Sequence, residues 1–402
     1  MTESLRPLIE SYNAAAPLEA AETIPSAWYT DPRIAALERR AVFGATWQVA
    51  ARVDQLAEGG QFVTTNIGGE PIVVVRGEDG TLRAFYNVCR HHAAEVMTES
   101  AGHCQVMRCP YHAWTYGLDG RLKGMPEFEG VAGFDKGDHG LVPVAVETWE
   151  NFVFVNLSGP DTSSTLRDFL ADLPDRIAPL KLDTLRFFER RTYDLACNWK
   201  VYVDNYLDGG YHVPHIHKAL GSVIDYAGYT IETKAHYCLQ WSPMTENDGN
   251  ADVASVRRGD RAYYYWLYPN FMINWYEGVM DTNLVLPLAV DRCRVIFDFY
   301  FEDITEGAAD HNRRSLDVGE RVQQEDIDIC ESVQRGLGSR AYDTGRLSVR
   351  REAGEQQFHR LLHRGLVRET SKRQNVKITK TTTKQQQNNN KATTKQQQQN
   401  KK

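Results

Sequence analysis

Between Thr46 and about Ser158 the apolar residues come in short runs and alternations: Gln61–Ile67, Pro71–Val75, Leu82–Val88 and Phe152–Leu157. Turn signals punctuate them, notably Gly77-Glu-Asp-Gly80 and Gly117-Leu-Asp-Gly120. That texture predicts a small all-β domain. Ahead of it, Asp31-Pro32 opens a helical run through Val42. Downstream, Thr165–Ile177 and Val201–Tyr206 carry helical spacing, Tyr263–Asn274 and Val285–Phe301 read as strands, and Asn312–Leu337 is a long amphipathic helix. The expected class is α+β. A helical segment (1–45) precedes the all-β domain (46–160), and a larger α+β domain (161–370) is followed by a tail (371–402).

Composition changes the picture at the ends. The tail is Lys, Thr, Gln and Asn with almost nothing apolar to bury, so it is expected to be a disordered, solvated extension. It carries nine of the 46 Lys and Arg residues and none of the 53 acids, leaving 37 basic against 53 acidic residues ahead of it, a charge of −16. Such an acidic body disfavours nucleic acid as a partner. The longest apolar runs, Phe152–Leu157 and Leu284–Val290, are too short to cross a bilayer, and no membrane partner is expected. Seven cysteines, an odd number in a long chain, favour a reducing compartment over a disulfide framework. The first residues are acid-rich and lack a basic start followed by an apolar stretch, so no secretory or transit leader is expected and the cytoplasm is the expected location.

Two constellations carry chemistry. In the β domain, Cys89-Arg-His91 is followed after seventeen residues by Cys109-Pro-Tyr-His112. Each pair sets a thiolate and an imidazole on one tight loop, which is the ligand set of a Rieske [2Fe–2S] cluster. Zinc accepts two Cys and two His, but usually with both Cys in one pair and both His in the other. His103 and Cys104 fit neither loop and read as structural. In the larger domain, Asp204, Asp208, His212, His215 and His217 crowd one stretch. A helix through Asn205 would align Asp208 with His212, four residues on, and Pro214 would end it so that a further His swings back. Two His and one carboxylate around an open-faced Fe(II) is the arrangement of non-haem oxygenases. The carboxylate lies elsewhere, and the helix near residue 325 offers Glu325, Asp326 and Asp328.

At this point residues 40–370 resemble the Rieske non-haem iron oxygenases of the ring-hydroxylating α-subunit type. The strings Asp204–Pro214, Tyr268–Asn274, Met280–Leu288 and Glu331–Leu337, with Ala341-Tyr342-Asp343, are most similar to the choline-oxidising branch. The resemblance implies a Rieske domain plus a catalytic domain with a curved antiparallel sheet and long helix of the helix-grip type. It implies a mononuclear iron on His212, His217 and Asp326, with His215 outside the site. Asp208 would bridge to the Rieske His of a neighbouring subunit in a homo-trimer or larger ring. Asp208 stands four rather than three residues before His212, which leaves Asp204 as a substitute. His92 follows His91 where Arg is common, Ala113 replaces Gly, and Trp275 stands where plant relatives have Arg. The implied reaction is hydroxylation of choline to betaine aldehyde hydrate with O2, with electrons from a ferredoxin or flavin reductase.

A quaternary ammonium is recognised by aromatic faces and carboxylates. Tyr268, Phe271, Trp275 and Tyr276 lie in the aromatic-dense segment from Tyr263 to Tyr276 and are the candidate substrate contacts, although strand alternation sends only half of such residues toward a pocket. The rivals are another quaternary amine (glycine betaine or carnitine), an aromatic substrate, or a non-catalytic electron-transfer protein. His212, His217 and Asp326 together speak against the last.

Overall fold

A computed structural model describes residues 5–160, 162, 164–245 and 251–372. The predicted tail lies outside these, apart from Ser371 and Lys372, which are still helical. Among the described residues no helix is long and apolar enough to cross a membrane.

The first sheet has seven antiparallel strands in the order Gln48–Arg52, Phe152–Asn156, Pro143–Trp149, Leu82–Tyr86, Glu70–Arg76, Gln61–Ile67 and Ala101–His103. A three-stranded sheet (Met107–Arg108, Thr115–Tyr116, Leu122–Gly124) carries the second Cys–His loop. The second large sheet is also seven-stranded and antiparallel. Its order is Arg186–Leu195, Arg292–Phe301, Val279–Ala289, Phe271–Tyr276, Arg261–Leu267, Tyr237–Pro243 and Thr230–Thr233. The long helix, Ala309–Leu337, lies on it, tied down where Arg191 and Tyr193 on the outer strand both donate to Glu320 at 2.8 Å.

The expected helix over Thr165–Ile177 is two pieces, Leu166–Leu170 and Leu173–Ile177. Pro174 cannot donate to residue 170 and its ring crowds that carbonyl, and Ala171 leaves the helical region for a positive φ of 54°. A further helix, residues 353–372, was not expected from the sequence. It packs on the N-terminal segment, where Arg360 and Gln356 donate to the carbonyls of Ala14 and Ala16.

One short helix, Trp199–Leu207, leads into the predicted iron site, and we call it the entry helix. Asn198 caps its start by accepting from Lys200 N (3.0 Å). Lys200 is fully buried, and its ammonium pairs with Glu38 Oε1 at 2.8 Å, while Trp199 Nε1 donates to Glu38 Oε2 at 3.0 Å. Glu38 sits on the helix Pro32–Ala41, so this pair pins the entry helix to the N-terminal segment. Glu38→Gln would strand a buried ammonium and is expected to destabilise the protein by roughly 3–5 kcal/mol. The check is the unfolding midpoint, and an unchanged midpoint would reject the pinning role.

Candidate active site

The two Cys–His loops are near copies of one another. Cys89 N donates to Ala94 O (2.8 Å) and Ala93 N to Cys89 O (3.0 Å); Cys109 N donates to Trp114 O (2.9 Å) and Ala113 N to Cys109 O (3.1 Å). Both turns close on an alanine at positive φ, 62° at Ala93 and 57° at Ala113. The loops bring the His91 and His112 rings to 4.7 Å between centroids. Cys89 and Cys109 are buried, whereas His112, His92 and Tyr111 are exposed, so thiols face inward and imidazoles outward. His91 Nδ1 is buried without a hydrogen-bond partner among the described residues, a donor atom left for a ligand. This donor set fits a cluster with Cys on one iron and His on the other. His103 ends an exposed edge strand and, with Cys104, stays outside the loops.

Tyr116 braces the first Cys–His loop. Its hydroxyl accepts from Arg90 N (3.0 Å) and lies 3.4 Å from Cys89 Sγ, to which it would donate once that sulfur is a cluster-bound thiolate. Hydrogen bonds to cluster sulfur tune the potential, and donation to it favours the reduced state. Tyr116→Phe is therefore expected to lower the cluster's reduction potential. Voltammetry reads this directly, and an unmoved potential rejects the assignment.

The local route to the second site differs from the expected one. The entry helix stops at Leu207, well before Pro214, and Gly209 and Gly210 follow at φ +68° and +69°. A Cβ on Gly209 would lie 2.2 Å from Arg351 O, so only glycine fits. Asp208 caps this turn, accepting from Tyr211 N (3.1 Å), His212 N (3.0 Å) and His212 Nδ1 (2.6 Å). Asp208 and His212 thus meet across a turn and not along a helix face.

The turn delivers His212 and His217 to Asp326 on the long helix, with one donor atom from each lying within 4.8 Å of the others. His217 Nε2 is 3.1 Å and His212 Nε2 3.8 Å from Asp326 Oδ1. The far side of each ring is held by a second carboxylate, Asp208 for His212 and Glu325 for His217 (2.7 Å). This is the carboxylate–histidine pattern that leaves Nε2 free for a metal. Asn205 Nδ2 donates to Asp326 Oδ1 (2.6 Å) and fixes it. Burial works against charge on the His217 ring, yet Asp326 and Glu325 outweigh it and raise its pKa. Three carboxylates around two imidazoles call for positive charge, and a divalent cation fits that need. Glu325 is on the outer side of His217, Asp328 is exposed and bonded to Gln324 (3.0 Å), and His215 is exposed.

A cavity of about 120 Å³ opens on these three donors, between the second sheet and the long helix. Tyr202, Tyr206, Tyr229, Tyr264 and Tyr276 wall it, with Asp281 and Arg257 among the polar groups. Of the four expected substrate contacts only Tyr276 lines it. Tyr268 packs in the core against Trp266 (5.9 Å), Phe271 against Phe152 (5.0 Å) and Trp275 against Tyr263 (5.8 Å). Alternation explains the correction: Tyr264, Asn274 and Tyr276 share the cavity face, and Trp275 points to the other. Its departure from the plant residue therefore lies away from the cavity. Burial pushes the Asp281 carboxyl above its ordinary range, with Arg257 and the Asn274 and Asn283 amides pulling back.

Asp204 sits on the outer face of the entry helix. Tyr29 Oη donates to its Oδ2 (2.6 Å) and His359 Nε2 meets its Oδ1 (3.0 Å), so buried groups hold both oxygens. Sequence reasoning missed His359 because its helix was not foreseen, and missed Asn205 and Asp281 because single polar residues inside helices and strands carry no spacing signal.

Comparison with known proteins agrees with this geometry. Residues 46–135 match the Rieske [2Fe-2S] domain, and residues 182–367 match the ring hydroxylating alpha subunit (catalytic domain). The chain is 39% identical over 375 residues to a chloroplastic choline monooxygenase of Arabidopsis thaliana, covering 89% of this chain and 86% of that one. It is 33% identical over 363 residues to the carnitine monooxygenase oxygenase subunit of Escherichia coli strain K12, covering 87% and 95%. A solved quaternary ammonium Rieske monooxygenase, described for carnitine oxidation and inter-subunit electron transfer, superposes with a TM-score of 0.76 at 29% identity, covering 89% and 97%.

Proposed function

Because the chain belongs to the ring-hydroxylating oxygenase α-subunit family, with its Rieske [2Fe–2S] domain and its mononuclear iron domain, we propose that it is a monooxygenase that hydroxylates choline to betaine aldehyde hydrate. The observation that carries this reading is the tyrosine-walled cavity opening on His212, His217 and Asp326, in a chain so similar to choline monooxygenases. Cys89, His91, Cys109 and His112 would hold the cluster, and His212, His217 and Asp326 the iron. When bound, these groups supply single electrons and O2 activation for insertion of one oxygen atom.

The chain's own side chains do the rest. Asp208 and Glu325 orient the two imidazoles, Asn205 fixes the third donor, and the tyrosines exclude water from the reacting carbon. The exposed His112 edge offers the cluster to partners, namely a ferredoxin or flavin reductase and a neighbouring copy in a homo-trimer or larger ring. Asp208 would bridge the neighbour's cluster to the iron site. Seven free thiols suit a reducing compartment, and we place the protein in the cytoplasm.

A second reading has its own observation. Arg257 is buried in the cavity wall and could take the carboxylate of a zwitterion such as carnitine or glycine betaine. Oxygen uptake and product formation should be compared with choline, glycine betaine and carnitine using the reduced protein. Betaine aldehyde formed only from choline supports the first reading; oxidation of a carboxylated amine alone replaces it with the second.

A further inference from the structure

The cavity holds one carboxylate outside the His212–His217–Asp326 group, Asp281, among its described lining residues. It is only 5% exposed, on the strand Val279–Ala289. Its orientation is built rather than incidental. Tyr206 Oη donates to Asn274 Oδ1 (2.8 Å), and Asn274 Nδ2 then donates to Asp281 Oδ1 (2.7 Å) and to Asn283 Oδ1 (3.0 Å). No described Lys, Arg or His lies within ion-pair distance of Asp281, so a buried acid is aimed into the cavity without a contact cation.

The cation nearest in effect is Arg257, whose guanidinium donates to Ser315 Oγ and stacks 4.8 Å over the Tyr276 ring. Ser315 precedes Asp326 on the long helix by eleven residues, about 16 Å along the axis at 1.5 Å per residue. Arg257 therefore marks the end of the cavity remote from the iron donors, and Asp281 sits in the wall beside Asn274. Tyr206, Tyr229, Tyr264 and Tyr276 supply ring surface around it, and Tyr264 and Tyr276 hydroxyls bond each other at 2.9 Å, which holds both rings in place.

We propose that Asp281, aligned by Asn274, is the counter-ion of the substrate's quaternary ammonium in the cavity that opens on His212, His217 and Asp326. This rests on the reading of the protein as a quaternary amine oxygenase. The chemistry is specific. A trimethylammonium donates no conventional hydrogen bond, so what recognises it is a carboxylate held in place by the Asn274 amide, together with aromatic faces. A fixed anion also separates the cation from neutral molecules of the same shape.

The test is calorimetric binding of choline and of its neutral carbon isostere, 3,3-dimethyl-1-butanol, to the wild type and to Asp281→Asn. The wild type is expected to bind choline more tightly by roughly 30-fold or more, and the variant to lose that preference while its affinity for the isostere changes little. Equal loss for both ligands, or no loss, overturns the proposal. If the variant fails to fold, by cluster absorption and circular dichroism, the wild-type ratio decides, and near-equal binding of the two ligands overturns it. Turnover is scored separately: choline that binds through Asp281 but is not oxidised removes the choline monooxygenase reading and leaves the counter-ion standing.

Discussion

Asp326→Ala is expected to abolish substrate oxidation while the cluster's absorption stays intact. Asp326 is the one residue on which both imidazoles converge, at 3.1 and 3.8 Å from a single carboxylate oxygen. It is also the only one of the three donors supplied by the long helix. With it gone, His212 and His217 keep their outer carboxylates, but two neutral imidazoles alone do not make a facial site. The cost to folding is limited to an orphaned Asn205 amide, of order 1–3 kcal/mol, because Asp326 is partly exposed. Metal analysis should show loss of the mononuclear iron with the cluster iron retained. Asp328→Ala, two residues along on the exposed face, is the control and should leave activity unchanged. If Asp326→Ala keeps its iron and its turnover, the donor set is wrong.

Much of this was readable in advance, for identifiable reasons. The strands of the first sheet appear because alternation and Gly-rich turns are local signals, and the observed Gln61–Ile67 strand has the predicted limits. The Cys–His loops appear because two close pairs separated by seventeen residues rarely arise by accident. The acid at 326 could not be separated from 325 and 328 by spacing alone, since all three sit within about one turn of one helix, and only the packing of that helix decides which faces the imidazoles. The wall of the cavity was hardest to foresee. Tyr263, Tyr264, Tyr265 and Tyr276 are chemically alike, and the side of the sheet each occupies depends on register, which a one-residue slip inverts. The helix at 353–372 did carry a signal, with Phe358, Leu361, Leu362 and Leu366 at helical spacing, but Gly354 and Gly365 interrupt it.

The assignment of the bridging acid turns on the difference between two aspartates four residues apart. Asp208 and Asp204 border the same outer cavity of about 190 Å³, beside Asn205 and across the entry helix from the substrate cavity. Asp204 is committed inward, with one oxygen to Tyr29 and the other to His359, both buried. Asp208 is instead locked to the iron-site imidazole itself, by the 2.6 Å contact to His212 Nδ1, and the two acids are about equally exposed, at 14% and 16%. Of the two aspartates, Asp208 alone joins the outer groove directly to a donor of the inner site. Asp208→Asn keeps the size but loses the anionic acceptor that fixes the ring's tautomer. Turnover is expected to fall by roughly 10–100-fold, the usual loss when a carboxylate behind a metal-binding histidine is removed. Stopped-flow absorption should assign the loss to reoxidation of the reduced cluster, with metal content close to that of the wild type. Asp204→Asn should show the reverse profile: a lower unfolding midpoint from disturbing Tyr29 and His359, of order 1–3 kcal/mol, and cluster reoxidation close to normal. If Asp204→Asn slows reoxidation more than Asp208→Asn, the bridging role belongs to Asp204, and the hydrogen bond to His212 only positions a ring.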